Sequence, residues 1–391
     1  VNSRDASRLA RLRLARQRIQ NPPGAAQPGP ARPGAAQPGP AQPGPPQPGS
    51  AHPGAGGVTG VVRHLTALQA QDLPGAKWSI ALRSPGATLA DVDAAFASGV
   101  IVRSWPFRGT LHITAAEDLE WMLNLTAART VSSVAGRFRQ LGLDHATLET
   151  ARSAAIDALQ GGHALPRDDL FAAFHALGID TGSNRGSNIL WYLAHTKTLC
   201  FGPMVGTAQA LVLLDEWVRH PRRLTHEEGV AELVLRYVTS HGPSTLRDFL
   251  WWSNLLMVDA RAGLDAAGDR LESLTVDGAE YWMPAGALDE PPVRRAVHLL
   301  PGFDEYLLGY ADRSAALPAP YAERIVPGNN GMFLPTIVAG GRVVGTWSRR
   351  ATSARVAVTP TPFEALTEAQ SRGVARSATR YAAYLGLPLA E

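Results

Sequence analysis

The stretch TLADVDAAFASGVIVRSWPFRGTLHIT, residues 88–114, sets the fold. Residues 88–98 form an amphipathic helix pattern. Thr88 stands where a cap is needed, and Asp91 stands three residues on, in the position of a capping box. Residues 100–105 and 107–114 then alternate around Pro106 as two strands of a hairpin. A further helical pattern over residues 59–73 precedes them and stops before Pro74, because a proline disfavours helix at the residue before it. Helices followed by a hairpin are the outline of a winged helix.

The pattern recurs further along the chain. Residues 143–160, 167–177 and 187–198 read as helices, followed by short strands at 199–203 and 209–214. A third copy has helices at 227–241, 246–252 and 257–266, with Gly242-Pro243-Ser244-Thr245 as loop and cap, and strands at 271–276 and 280–283. No clear sequence repeat accompanies the repeated order of elements. From Ala296 the texture changes to short strands at 296–300, 336–338, 342–347 and 354–359, a small barrel or sheet, and a closing helix at 363–385. The expected class is therefore α+β. It divides into winged helices at 1–115, 116–222 and 223–290 and a C-terminal β-barrel-like domain with its helix at 291–391.

Residues 5–20 read as a basic amphipathic helix, with Leu9, Leu12, Leu14 and Ile19 apolar and six arginines between Arg4 and Arg18. After it, from Pro23-Gly24 to Pro53-Gly54, a Pro-Gly pair recurs every five residues, seven times. Collagen needs glycine every third residue, so this is no triple helix. Repeated turn pairs without core residues describe a disordered linker over 21–58, set inside the first winged helix.

The chain has 391 residues, net charge +3 and a single cysteine, Cys200. One cysteine excludes an internal disulfide and a cysteine-built zinc site. Lys77 and Lys197 are the only lysines. The cationic residues are therefore arginines, whose planar fork suits phosphate. No run of eighteen apolar residues and no secretory leader pattern is present, which gives the expectation of a cytoplasmic monomer without membrane contact.

Six segments, in order, carry a resemblance: Arg13–Ile19, Leu68-Gln69-Ala70-Gln71-Asp72, Arg103–His112, Gly242–Trp252, Leu299–Tyr310 and Gly345-Thr346-Trp347. Together they resemble the AlkZ/YcaQ family of winged-helix DNA glycosylases. The resemblance runs from about Arg8 to the C-terminus, with the Pro-Gly segment as an insertion. It implies three tandem winged helices and a β-barrel curved around duplex DNA, and hydrolysis of the N-glycosidic bond of N7-alkylated purines. One branch carries Gln-x-Asp at the catalytic motif. Gln69-Ala70-Gln71 is similar to the other branch, Gln-x-Gln, which is associated with self-resistance to DNA-alkylating natural products.

An amide does not titrate near neutrality and is a poor general base. An N7-alkylated purine, however, is already cationic and leaves without a strong acid. What remains is to hold a water beneath C1′ and stabilise an oxocarbenium-like sugar, which amide carbonyls can do. Gln69 and Gln71 are the expected catalytic pair, with Gln71 positioning the water and Asp72 the alternative base or a helix-end, salt-bridge residue. In a regular helix residues i and i+2 diverge, so the pair requires the helix to end or bend near Ala70. Arg108, His112, Arg313, Asn330, Arg349 and Arg350 are the candidate DNA contacts. Trp251 and Trp252 read as core, and the aromatics of the Asp304–Tyr310 segment as structural. The reaction needs water alone, so no cofactor or metal is expected. With no lysine in the motif, the hydrolysis is expected to be monofunctional. The competing function is a non-enzymatic winged-helix regulator or lesion binder.

Overall fold

The computed structural model describes residues 3–19, 57–289 and 296–390. The Pro-Gly segment lies outside the described residues except at its end, where Val58 is already helical rather than linker. The first unit runs α1 (Ser3–Arg16), α2 (Val58–Leu65), β1 (Ala67–Gln69), α3 (Leu73–Arg83), α4 (Leu89–Ala97), β2 (Ile101–Phe107) and β3 (Thr110–Ala115). The capping box is present: the Thr88 hydroxyl accepts from Asp91 N, and Asp91 accepts from Thr88 N at 2.8 Å. The hairpin is closed by Arg108 and Gly109, both left-handed at φ 54° and 66°. Two consecutive positive φ values are what a two-residue hairpin turn with matching twist requires.

The single helix expected over 59–73 is not formed. α2 ends at Thr66, whose φ of 70° and ψ of −53° turn the chain sharply into β1. Pro74, expected as a terminator, instead sits in the first turn of α3. There its missing N–H costs nothing, since first-turn amides lack helical partners anyway.

Two helices not read from the sequence, α5 (Ala116–Ser133) and α6 (Ala135–Gln140), lead into α7 (His145–Leu159), α8 (Arg167–Ala176), α9 (Arg185–His195), β4 (Leu199–Val205), β5 (Ala208–Leu213) and α10 (Leu214–Trp217). The two hairpins join through Arg103 and Phe201 into one antiparallel sheet of order β1-β3-β2-β4-β5. α11 (His226–His241), α12 (Leu246–Ser253) and α13 (Met257–Ala267) follow, with the separate ribbon β6 (Leu271–Val276) and β7 (Ala279–Pro284).

The C-terminal part comprises β8 (Val297–Leu300), α14 (Glu305–Leu308), α15 (Ala322–Ile325), β9 (Thr336–Ala339), β10 (Arg342–Ala351), β11 (Val356–Pro362) and α16 (Glu368–Leu385). The expected barrel is not closed. Its strands make an open sheet of order β11-β10-β9-β8. A helix takes the place of further strands: α16 lies against β8, where Ser377 Oγ donates to Val297 O at 2.7 Å, and sets Tyr381 edge-on to Trp347. One core runs from Leu14 and Ile19 of the N-terminal segment through Trp78 of α3 to Leu299, Trp347 and Tyr381. The N-terminal segment and α16 thus contribute to the same core. The arginine face expected on α1 is only partly solvated, because Arg13 is buried with its Nε donating to Pro243 O at 3.0 Å.

Candidate active site

The turn at Thr66 determines how Gln69 and Gln71 are presented. Along an extended strand successive side chains alternate, so residues i and i+2 share a face. Ala70 N donates to Leu111 O at 2.7 Å, which continues the β1–β3 ladder past Gln69. Ala70 points into the core and is fully buried. Gln69 and Gln71 meet on the other side, where Gln69 Nε2 donates to Gln71 Oε1. The geometric condition on the motif is met where β1 ends and the chain bends at Gln71, not by a distorted helix. Gln69 is nearly buried and Gln71 is exposed.

Three neighbours hold Gln69. Its backbone N–H donates to Glu305 Oε1 at 2.9 Å. Arg108 Nη2 donates to its Oε1 at 2.8 Å. His112 faces it across the β1–β3 register. Arg108 also donates to Trp252 O, and its Nη2 lies 3.3 Å from His112 Nε2. His112 Nδ1 is 2.8 Å from Thr110 O, and a carbonyl only accepts, so the proton sits on Nδ1. Burial, then the Arg108 charge, depress the His112 pKa to about 3, so the ring is neutral.

Glu305 is the anion beneath this cluster and is 1% exposed. Burial alone would raise its pKa. His241, with Nε2 3.4 Å from Glu305 Oε2, and then Arg108 outweigh that and hold the carboxyl at about 2. Trp252 Nε1 donates to the same oxygen at 2.9 Å. Next door, Asp304 forms a two-pronged ion pair with Arg83 at 2.8 and 2.9 Å and accepts from Ser79 Oγ at 2.7 Å. Gln17 of the N-terminal segment closes the network, accepting from Arg83 Nη2 at 2.9 Å and donating to Glu305 O at 3.1 Å.

The candidate DNA contacts fall into two groups. Arg108 and His112 lie at the glutamine pair, with His112 fully buried, and their hydrogen bonds run inward. Arg313, Asn330, Arg349 and Arg350 lie outside it. Arg313 is half-buried, donates to Leu307 O at 2.9 Å and lies between the Trp251 and Phe333 rings at 5.4 and 4.9 Å. Asn330 is exposed, and its Oδ1 accepts from Met332 N. Arg349 pairs with Asp72 at 3.4 Å, which gives Asp72 a salt-bridge place at the start of α3. Arg350 is exposed at the end of β10. Of the two tryptophans expected in the core, Trp252 is buried but Trp251 is 44% exposed.

Glu305 and Arg103 were not singled out from the sequence. Arg103 Nε donates to Ala70 O at 3.0 Å and its Nη1 to Gln209 Oε1 at 2.8 Å, fixing the motif's backbone. A signal for Glu305 was available: two adjacent carboxylates inside the apolar run Leu299–Tyr310 must be paired if that run is core.

The model of the family described as DNA glycosylase AlkZ-like matches residues 62–384. A curated relative, the interstrand DNA cross-link repair glycosylase of Streptomyces sahachiroi, is 26% identical over 318 residues, which is 77% of this chain and 84% of that protein. The solved structure of the Streptomyces sahachiroi DNA glycosylase AlkZ superposes with a TM-score of 0.73 at 23% identity, covering 98% of each chain. With the site geometry and a family match over most of its length, the chain belongs to the AlkZ-like family of DNA glycosylases.

Proposed function

We infer that this glycosylase hydrolyses the N-glycosidic bond of N7-alkylated purines in duplex DNA, including bulky adducts and interstrand crosslinks, with Gln69 and Gln71 as the catalytic pair. The observation that carries this reading is the contact between the two amides at the end of β1, with Gln71 exposed. A carbonyl oxygen has two lone pairs. Gln71 Oε1 gives one to Gln69 and keeps one to accept from a water. That water attacks C1′ as the bond to the purine nitrogen breaks. The bond's electron pair neutralises the cationic base, and the water's surplus proton passes to solvent. No strong acid is required, which fits a site whose carboxylate, Glu305, is buried and already engaged.

The exposure of Gln71 suits a lesion met at the surface of the duplex, which a bulky crosslink requires because it cannot rotate into a snug pocket. Arg313, Arg349 and Arg350 are the proposed backbone contacts, and the turn at Asn330 is the proposed groove contact. Self-resistance to an alkylating natural product is the proposed setting. The Streptomyces sahachiroi relative, an interstrand cross-link repair glycosylase, supports the crosslink as a substrate. The test is base release from duplexes carrying N7-methylguanine or an N7-guanine crosslink. Free alkylguanine and an abasic site are expected, with no adduct trapped by borohydride. Intact duplexes, or a borohydride-trapped enzyme, would contradict the reading.

A further inference from the structure

We propose that Arg108 is a positioning residue that fixes the polarity of the glutamine pair, rather than a contact to DNA phosphate. The inference rests on the glycosylase reading of this site. A guanidinium only donates. Wherever Arg108 reaches Gln69, it must find the carbonyl oxygen, and it does so at 2.8 Å. The Gln69 amide is thereby prevented from flipping. Its NH2 faces Gln71, and Gln71 must answer with its oxygen, as it does. The order of donors therefore runs from Arg108 to Gln69 to Gln71. An amide pair without such an anchor has two orientations of similar energy, and only one keeps the Gln71 carbonyl in this place.

Arg108 is itself held from several sides. Trp252 O accepts one end of the guanidinium. The neutral His112 presents its Nε2 lone pair to the other, because Thr110 O occupies Nδ1. Glu305 supplies charge compensation, which partly offsets the effect of burial on Arg108. The backbone agrees. Arg108 has φ 54° at the first position of the hairpin turn, where asparagine, aspartate or glycine is the usual choice. A long side chain kept in a left-handed conformation marks a position fixed by its side-chain contacts. Gly109, beside it, accepts from Trp191 Nε1 at 3.3 Å, so α9 steadies the turn.

The experiment combines kinetics with spectroscopy on the full chain. Arg108→Met removes the donors at similar length. Arg108→Lys keeps the charge and an ammonium donor but loses the planar fork. Single-turnover base release from an N7-methylguanine duplex, duplex affinity across a salt series, and side-chain amide spectra of 15N-glutamine-labelled protein are measured for each. With Arg108→Met the saturated rate should fall about a hundredfold, duplex affinity and its salt slope should stay at the parental values, and the Gln69 amide resonances should move. Arg108→Lys should recover part of the rate and restore the Gln69 resonances. The proposal is overturned if Arg108→Met weakens duplex binding and flattens its salt dependence at a parental saturated rate, which is the behaviour of a phosphate contact. It is equally overturned if the Gln69 resonances ignore both variants, or if Arg108→Lys restores neither signal. Should the parental protein release no base, the glycosylase reading fails, and the amide spectra still decide the role of Arg108.

Discussion

Glu305 shows how one buried charge can organise a site without reacting in it. Its two oxygens receive the Gln69 backbone N–H and the Trp252 indole N–H, and it faces His241 and Arg108. Glu305→Gln keeps the shape but removes the charge, and it sets an amide NH2 against one of two donors. Breaking a buried charged cluster from one side costs about 3–5 kcal/mol. Urea unfolding of Glu305→Gln should show a loss in that range, and a change below about 1 kcal/mol would contradict the assigned role. The pairing of Gln69 with Gln71 was legible in the sequence as a motif. Its supports were not, because Glu305 lies 236 positions away and only the fold brings it to Gln69.

At the scale of elements, the decisive feature is the break between α2 and β1. A β-branched residue at positive φ is an outlier that local propensity does not predict. The helical pattern over residues 59–73 therefore concealed a turn, a strand and the start of a second helix. What stabilises the break is tertiary. β1 pairs with β3, and α3 is tied to the segment before α14 by the Arg83–Asp304 pair, whose side chains are 0% and 3% exposed. Arg83→Met would leave Asp304 charged and buried with Ser79 and the Tyr306 N–H as its remaining partners. A loss of about 3–5 kcal/mol is expected in chemical denaturation. A double-mutant cycle with Asp304→Asn should show strong coupling between the two, whereas additive effects would contradict the pairing. The elements with their own local signals are legible in the sequence: the capped α4, the β2–β3 hairpin, and α11 to α13 with their ribbon. The open sheet at the C-terminus has the same strand pattern as a barrel, because strand patterns do not say which edges pair.

For the whole molecule, four histidines largely withdrawn from water link stability to pH. His64, His195 and His298 are depressed to about 4, and His112 to about 3, in each case chiefly by burial. Their ordinary value is 6.5. Between these values the unfolded chain binds protons that the folded chain does not, so stability is full above about pH 6.5 and falls as the pH drops toward 4. Glu305 acts in the same direction lower down, over the range from its ordinary 4.5 to about 2. The melting temperature should already decline between pH 7 and pH 5, before carboxylates titrate. A flat melting temperature across that interval would contradict neutral burial of the four rings. This linkage was not legible in the sequence, because a histidine in a strand or helix gives no sign of its burial. The family resemblance was legible, since its six motifs lie in order along the chain.

An amide pair, without a carboxylate base, is proposed to carry base excision. Single-turnover release of N7-methylguanine by the parental protein and by Gln71→Ala measures it most directly. Rapid release is expected of the parental chain, and a loss of about a hundredfold of the variant at saturating enzyme. Release by Gln71→Ala at the parental rate would contradict it.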